Sequence, residues 1–149
     1  MRLEDAIVQR HFRSEFEKLA VNLQFTAALY RNHLRAALHP YGLSPEQFNI
    51  LRILRGQHPT PASAKLVSER MLDKSSNVSR LVEKLRQKGY VTRGECGADR
   101  RQVDLLITEK GLDVLAALDE NLEAQPGMDR FVTKKEAKHL NELLDRLRG

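Results

Sequence analysis

The segment from Ala62 to Thr108 constrains this chain most, because it reads as helix, tight turn, helix and hairpin in quick succession. A short helix from about Ala62 to Arg70 is expected to bury Leu66 and Val67. After a turn comes "DKSSNVSRLVEKLRQKG", a second helix that Asp73 is placed to cap and Gly89 to end. Its Val78, Leu81, Val82 and Leu85 recur at i, i+3, i+4 and i+7, so that face belongs to a core. "YVTRGEC", a glycine turn and "RQVDLLIT" then read as a two-stranded hairpin. Val103, Leu105 and Ile107 alternate with Gln102, Asp104 and Leu106, which locks one face of the last strand onto the core.

What this unit shows to solvent is chemically specific. Opposite the apolar face, the second helix carries Ser76, Ser79, Arg80, Glu83, Lys84 and Gln87, with Asn77 at the flank. Small hydroxylated residues let a helix sink into a major groove, and Ser, Asn and Arg can bond phosphates or base edges. The amides at a helix N-terminus also favour phosphate. An ordinary amphipathic helix with a wet face has the same pattern. The hairpin shifts the balance, because its rigid strand holds out a tip with Asp99, Arg100 and Arg101. An arginine presented in this way can enter a narrow minor groove. Asp99 can accept a hydrogen bond from Arg101 and orient it. These polar side chains are all expected to be exposed, so truncating them is expected to leave folding almost unchanged.

Charge agrees with an anionic partner for this middle segment. The chain has 149 residues and a net charge of +5. Residues 60–110 hold eleven Lys/Arg against seven Asp/Glu, whereas residues 111–149 hold six against eight. A basic centre and an acidic C-terminus suit nucleic acid at the centre. The length fits one compact domain, or a small domain with long extensions. No apolar run approaches the length needed to cross a membrane, and the N-terminus has no secretory pattern. A single cysteine excludes an intrachain disulfide and fits a reducing cytosol.

The flanks read as long helices. From about Glu4 to Leu38 there is no Gly or Pro, and Phe16, Leu23, Tyr30 and Ala37 are spaced by seven. One long amphipathic helix with a coiled-coil-like seam is expected there. "HPYG" ends it. In "SPEQFNILRIL", Ser44, Pro45 and Gln47 form a capping box at the start of a helix with Phe48, Leu51 and Leu54 inward. Thr108 is placed to cap a helix to about Ala124. Thr133 and Glu136 box a last helix with Leu140, Leu143, Leu144 and Leu147 on one face. The N-terminal seam and the C-terminal leucine stripe cannot both be buried within one chain, so a two-fold homodimer is expected.

Together, "SERMLDKSSNVSRLVEKLRQKGYVTRGECGADRRQVDLLITEKG" resembles the winged helix-turn-helix core of the multiple-antibiotic-resistance regulator (MarR) family. "NVSRLVEKLRQKGYV" resembles its recognition helix and first wing strand, and "DRR" with "TEKG" resembles its wing signature. The resemblance implies a mainly α fold with a two-stranded β-wing, flanked by long dimerisation helices. It divides the chain into an N-terminal dimerisation helix (1–42), a DNA-binding unit (43–110) and C-terminal dimerisation helices (111–149). It implies a cytoplasmic homodimer that represses or activates transcription on a short palindrome in double-stranded DNA. It places Ser75, Ser76, Asn77, Ser79 and Arg80 against DNA, with Arg101 as the wing arginine and Asp99 as its support. Cys96 departs from the family's usual wing residues.

The resemblance further implies a small aromatic or phenolic effector where the long helix meets the helix after the wing. Phe16, Phe25, Tyr30, His33 and His58 are candidates for that crevice, although each also suits a dimer core or surface position. Redox sensing through Cys96 and a winged helix that binds protein are the alternatives. The basic wing tip and small polar helix face argue against the latter. No phosphate loop, Gly-x-Ser-x-Gly or His-Glu-x-x-His occurs, so an enzyme is not expected. No Cys/His pair has zinc spacing, and no cofactor or metal is expected.

Overall fold

The computed structural model describes residues 1–95, 103–124 and 127–149. The N-terminal stretch divides into two helices, α1 (Leu3–Ala6) and α2 (Glu15–Leu38). This corrects the single helix expected from about Glu4. Val8 takes a left-handed φ of 55°, which no continuous helix allows. Ser14 then restarts the chain: its Oγ accepts from the Glu17 amide at 3.1 Å. Glu17 in turn accepts from the Arg13 amide at 2.6 Å. The spacing Ser14-x-x-Glu17 is itself a capping signal, and it outweighs the absence of Gly and Pro.

At 24 residues, α2 is about 36 Å long, yet its buried residues are Ala37 and Leu38 at the far end. A 3₁₀ turn (His39–Tyr41) and Gly42, at φ 61°, swing the chain into α3 (Pro45–Gln57). Both arms of the expected capping box are present, and they explain why Gln47 is buried although polar. Its Oε1 accepts from the Ser44 amide at 3.0 Å while its own amide donates to Ser44 Oγ at 3.2 Å.

Ala62 and Ser63 do not start a helix. They form a short strand, β1, and Ser63 caps α4 (Ala64–Arg70). After the turn come α5 (Val78–Gln87), β2 (Val91–Glu95) and β3 (Val103–Ile107). The sheet is therefore three-stranded and antiparallel, in the order β1-β3-β2, where two strands were expected. Ala62 pairs with Leu105 and Val91 with Ile107. Helix α6 (Glu109–Ala124) starts at Thr108, whose Oγ1 accepts from the Gly111 amide at 3.1 Å, as the cap reading required. A second 3₁₀ turn (Met128–Arg130) precedes α7 (Lys134–Arg148), which opens with the expected Thr133–Glu136 box.

One hydrophobic core joins these elements. Leu38, Ile50, Leu51, Leu54, Val67, Met71, Leu85, Val91, Leu105, Leu115 and Leu118 are each at most 2 % exposed. Burial of this order stabilises by about 1.5–3 kcal/mol per large aliphatic side chain. The core lies under α5 and the sheet, so both are seated on it. An Arg55–Asp119 ion pair at 2.5 Å links α3 to α6 at its edge. By contrast, no residue of α7 is buried, and Phe16 (84 %), Tyr30 (56 %) and Leu147 (57 %) stand open.

Candidate nucleic-acid interface

Helix α5 is amphipathic in the expected sense. Val78, Val82 and Leu85 are buried and Leu81 is half-buried, which turns Ser79, Arg80, Lys84 and Gln87 outward into solvent. Among the described residues, no carboxylate lies within ion-pair distance of Arg80 or Lys84. Arg86 differs: its Nε and Nη2 donate to Glu83 at 3.0 and 2.9 Å, and Gln87 Nε2 adds a bond at 3.3 Å. The Arg86 guanidinium holds the Glu83 carboxyl below the usual carboxylate range, and Arg93 on β2 adds to that lowering. The acid on this face is thus already paired, while Arg80 and Lys84 have no ion pair among the described residues.

The start of α5 corrects the sequence reading in a way that matters for the interface. Asn77, not Asp73, is the N-cap, and its Oδ1 accepts from the Arg80 amide at 3.0 Å. Asp73 instead closes the preceding turn, accepting from the Ser75 amide at 2.9 Å and the Ser75 hydroxyl at 2.6 Å. These bonds from Ser75 hold the Asp73 carboxyl below its ordinary range. Ser75 and Ser76 therefore lie in the turn ahead of the helix. Ser76 is half-buried, and its Oγ is enclosed without a hydrogen-bond partner among the described residues. Asn77 is exposed as expected, but it is also a structural cap, so its truncation is not neutral for folding.

Sequence reasoning missed what holds this turn. Asn49 on α3 accepts the Leu72 amide through Oδ1 at 2.9 Å, anchoring the turn between α4 and α5 to the helix beneath it. An isolated asparagine at a wet helix position gives no local signal of such a contact. Asp99, Arg100 and Arg101 of the wing tip, and Cys96, lie outside the described residues. The strands that carry the tip are present, with Leu105 and Ile107 buried beneath them. Of the effector candidates, Phe25 is half-buried, whereas Phe16, Tyr30, His33 and His58 are exposed. The first four lie along α2, and His58 closes the end of α3.

Gly111 accounts for the last residue of the "TEKG" signature. A Cβ there would stand 2.5 Å from the Tyr90 carbonyl oxygen and 2.8 Å from Ile107 Cγ1. Glycine lets α6 pack directly on the backbone that leaves α5.

Comparison with known proteins agrees with this geometry. The model of the MarR family matches residues 41–102, which span α3 to the wing. The regulator MhqR of Bacillus subtilis is 27 % identical over 131 residues, covering 87 % of this chain and 89 % of the relative. A putative MarR-like regulator from Bacillus cereus superposes with a TM-score of 0.76 at 22 % identity, over 90 % of this chain and 96 % of that one. Reduced AbfR bound to DNA superposes at 0.72 and 20 % identity, over 92 % and 97 %. Among the described residues no helix is long and apolar enough to cross a membrane. A winged helix seated on a shared core, two cations on its outer face without an ion pair among the described residues and relatives that are transcription regulators lead to one conclusion: residues 41–102 carry the winged-helix core of the MarR family of transcription regulators.

Proposed function

We propose that the protein is a cytoplasmic homodimeric repressor that binds a palindromic operator, with one α5 helix in each of two successive major grooves. Residues 43–110 act as the DNA-binding lobe, and residues 1–42 and 111–149 as the dimerisation arms. The observation that carries the reading is the division of α5: its inner face is sealed into the core, while Ser79, Arg80 and Lys84 stand outward with both cations unpaired among the described residues. Ser75 and Asn77 stand at the N-terminal edge of the same surface, within reach of the phosphate backbone. Asp99, Arg100 and Arg101 serve the wing, entering the neighbouring minor groove.

The dimer is supported by apolar surface that a monomer leaves in water. Leu19, Leu23 and Tyr30 on α2 and Leu140, Leu143 and Leu147 on α7 are each more than a third exposed. Isolated exposed leucines are ordinary, but two periodic stripes on the two terminal arms are not. Joining them across a two-fold axis buries both. A small aromatic or phenolic effector would act where α2 meets α6, with the half-buried Phe25 as the first residue to test.

Gel shift with the DNA upstream of the protein's own gene tests the reading, with sedimentation at micromolar concentration alongside. A dimer retarding that duplex in a salt-dependent manner is expected. A monomer, or binding with a flat dependence on salt, overturns it.

A further inference from the structure

The end of the recognition helix is tied to both arms. The three carbonyls that follow α5 are each engaged by the start of α6. Lys88 O accepts from Lys110 Nζ at 2.9 Å, Gly89 O from Thr108 Oγ1 at 2.7 Å and Tyr90 O from the Thr108 amide at 3.0 Å. The Lys110 ammonium also lies 5.2 Å from the centre of the Tyr90 ring. On the opposite side, the half-buried Lys88 sends its Nζ to the Gly42 carbonyl, 46 residues earlier, at the junction of α2 and α3. The same Nζ is the side-chain atom nearest to where a Gly42 Cβ would be, at 3.2 Å. An ammonium on a carbonyl that ends a helical turn is a favourable pairing.

We propose that Lys88 is a positioning residue: by tying the C-terminal end of α5 to the α2–α3 junction, it sets the separation and tilt of the two recognition helices and hence the half-site spacing the dimer accepts. Lys110 supports it from the α6 side. The inference rests on the dimeric, two-fold reading above. One base pair moves a half-site by about 3.4 Å along the duplex and turns it by about 35°, so a small rotation of α5 on its arms trades one spacing against another. The backbone bonds at Gly89 and Tyr90 belong to the fold. The Lys88 ammonium makes a polar tie from the end of α5 to the other arm, and it is spent on a carbonyl rather than offered to phosphate.

The test uses a pool of duplexes carrying inverted repeats with randomised half-sites and varied spacers, selected on the parent protein. The best duplex is then made again with its spacer one base pair longer and one shorter. Lys88→Met keeps the stem and removes the ammonium, Lys88→Arg restores a donor, and Lys110→Met loosens the other tie. The parent is expected to prefer its own spacing by about tenfold or more, the scale of one disrupted half-site contact. Lys88→Met is expected to reduce that preference to about threefold or less, with the half-site sequence and the salt slope unchanged. Lys88→Arg is expected to restore it, and Lys110→Met to reduce it in part. Thermal unfolding of each variant accompanies the binding.

If Lys88→Met weakens all spacings equally and flattens the salt slope, Lys88 is a phosphate contact and the inference is overturned. Spacing preference retained in both methionine variants overturns it as well. If the parent itself selects no inverted repeat, the two-fold reading fails, and the inference with it.

Discussion

Asn77 caps α5 and, in the proposed function, also faces DNA, and a substitution series separates the two roles. Its Oδ1 caps α5 through the Arg80 amide at 3.0 Å, in a helix of only 10 residues that carries most of the proposed DNA-facing surface. Removing the acceptor in Asn77→Ala is expected to cost about 1 kcal/mol, within the range of 0.5–2 for such caps. For a chain of this length that is a fall in melting temperature of roughly 2–5 °C, measured at fixed protomer concentration because the proposed dimerisation would contribute to stability. Asn77→Ser and Asn77→Asp keep an acceptor and are expected to hold the parent's midpoint to within about 0.5 kcal/mol. The DNA results order differently. If Asn77 faces phosphate as proposed, Asn77→Asp is expected to lose binding most while remaining fully folded. Asn77→Ala leaves a protein of ordinary stability overwhelmingly folded at assay temperature, since about 1 kcal/mol is small against a typical 5–15. Any loss of binding in it therefore reports the missing amide group rather than unfolded protein. Denaturant titration and fluorescence anisotropy on one operator duplex provide both scales. An Asn77→Ala midpoint equal to the parent's would refute the capping argument, and an Asn77→Asp variant that binds like the parent would remove Asn77 from the interface.

Other outcomes follow from the same geometry. Gly111→Ala is expected to destabilise by about 1–3 kcal/mol in spite of the helix propensity of alanine, because its Cβ meets the Tyr90 carbonyl at 2.5 Å; thermal unfolding measures it. The Asp73 carboxyl is held below its ordinary range by Ser75, so its contribution is present above the unfolded pKa of about 4 and is lost as pH falls through the lowered folded value. The protection factor of the Ser75 amide, taken against its intrinsic exchange rate at each pH, is expected to fall in acid in the parent and to be low already at neutral pH in Asp73→Ala. Leu140→Glu with Leu147→Glu is expected to yield monomers in sedimentation with the lobe still folded, since neither side chain is buried within one chain. Arg80→Ala and Lys84→Ala are each expected to flatten the slope of log K against log salt by about 0.9 per subunit if they meet phosphate, whereas a slope equal to the parent's removes that contact.

Local chemistry was legible wherever a short stretch of sequence carried its own answer. The Ser44–Gln47 and Thr133–Glu136 boxes, the Thr108 cap and the apolar face of α5 depend on spacings of three or four residues along one helix, so the chain alone determined them. The alternation that buries Leu105 and Ile107 is equally local. Even the missed start of α2 at Ser14 had its local signal in Glu17, which the long run without Gly or Pro concealed.

Tertiary structure decided what depends on residues far apart in the chain. Ala62 and Ser63 resemble the first turn of a helix until β3 offers hydrogen-bond partners some forty residues later. Asn77 rather than Asp73 became the cap because Asn49, from α3, fixes the turn at Leu72 and Asp73 is taken by Ser75. The reach of Lys88 to Gly42 has no periodicity to announce it. Hydrophobic spacing and capping act over one or two turns, so sequence pattern records them. The placement of a polar side chain against a distant carbonyl exists only once the core has brought the two together.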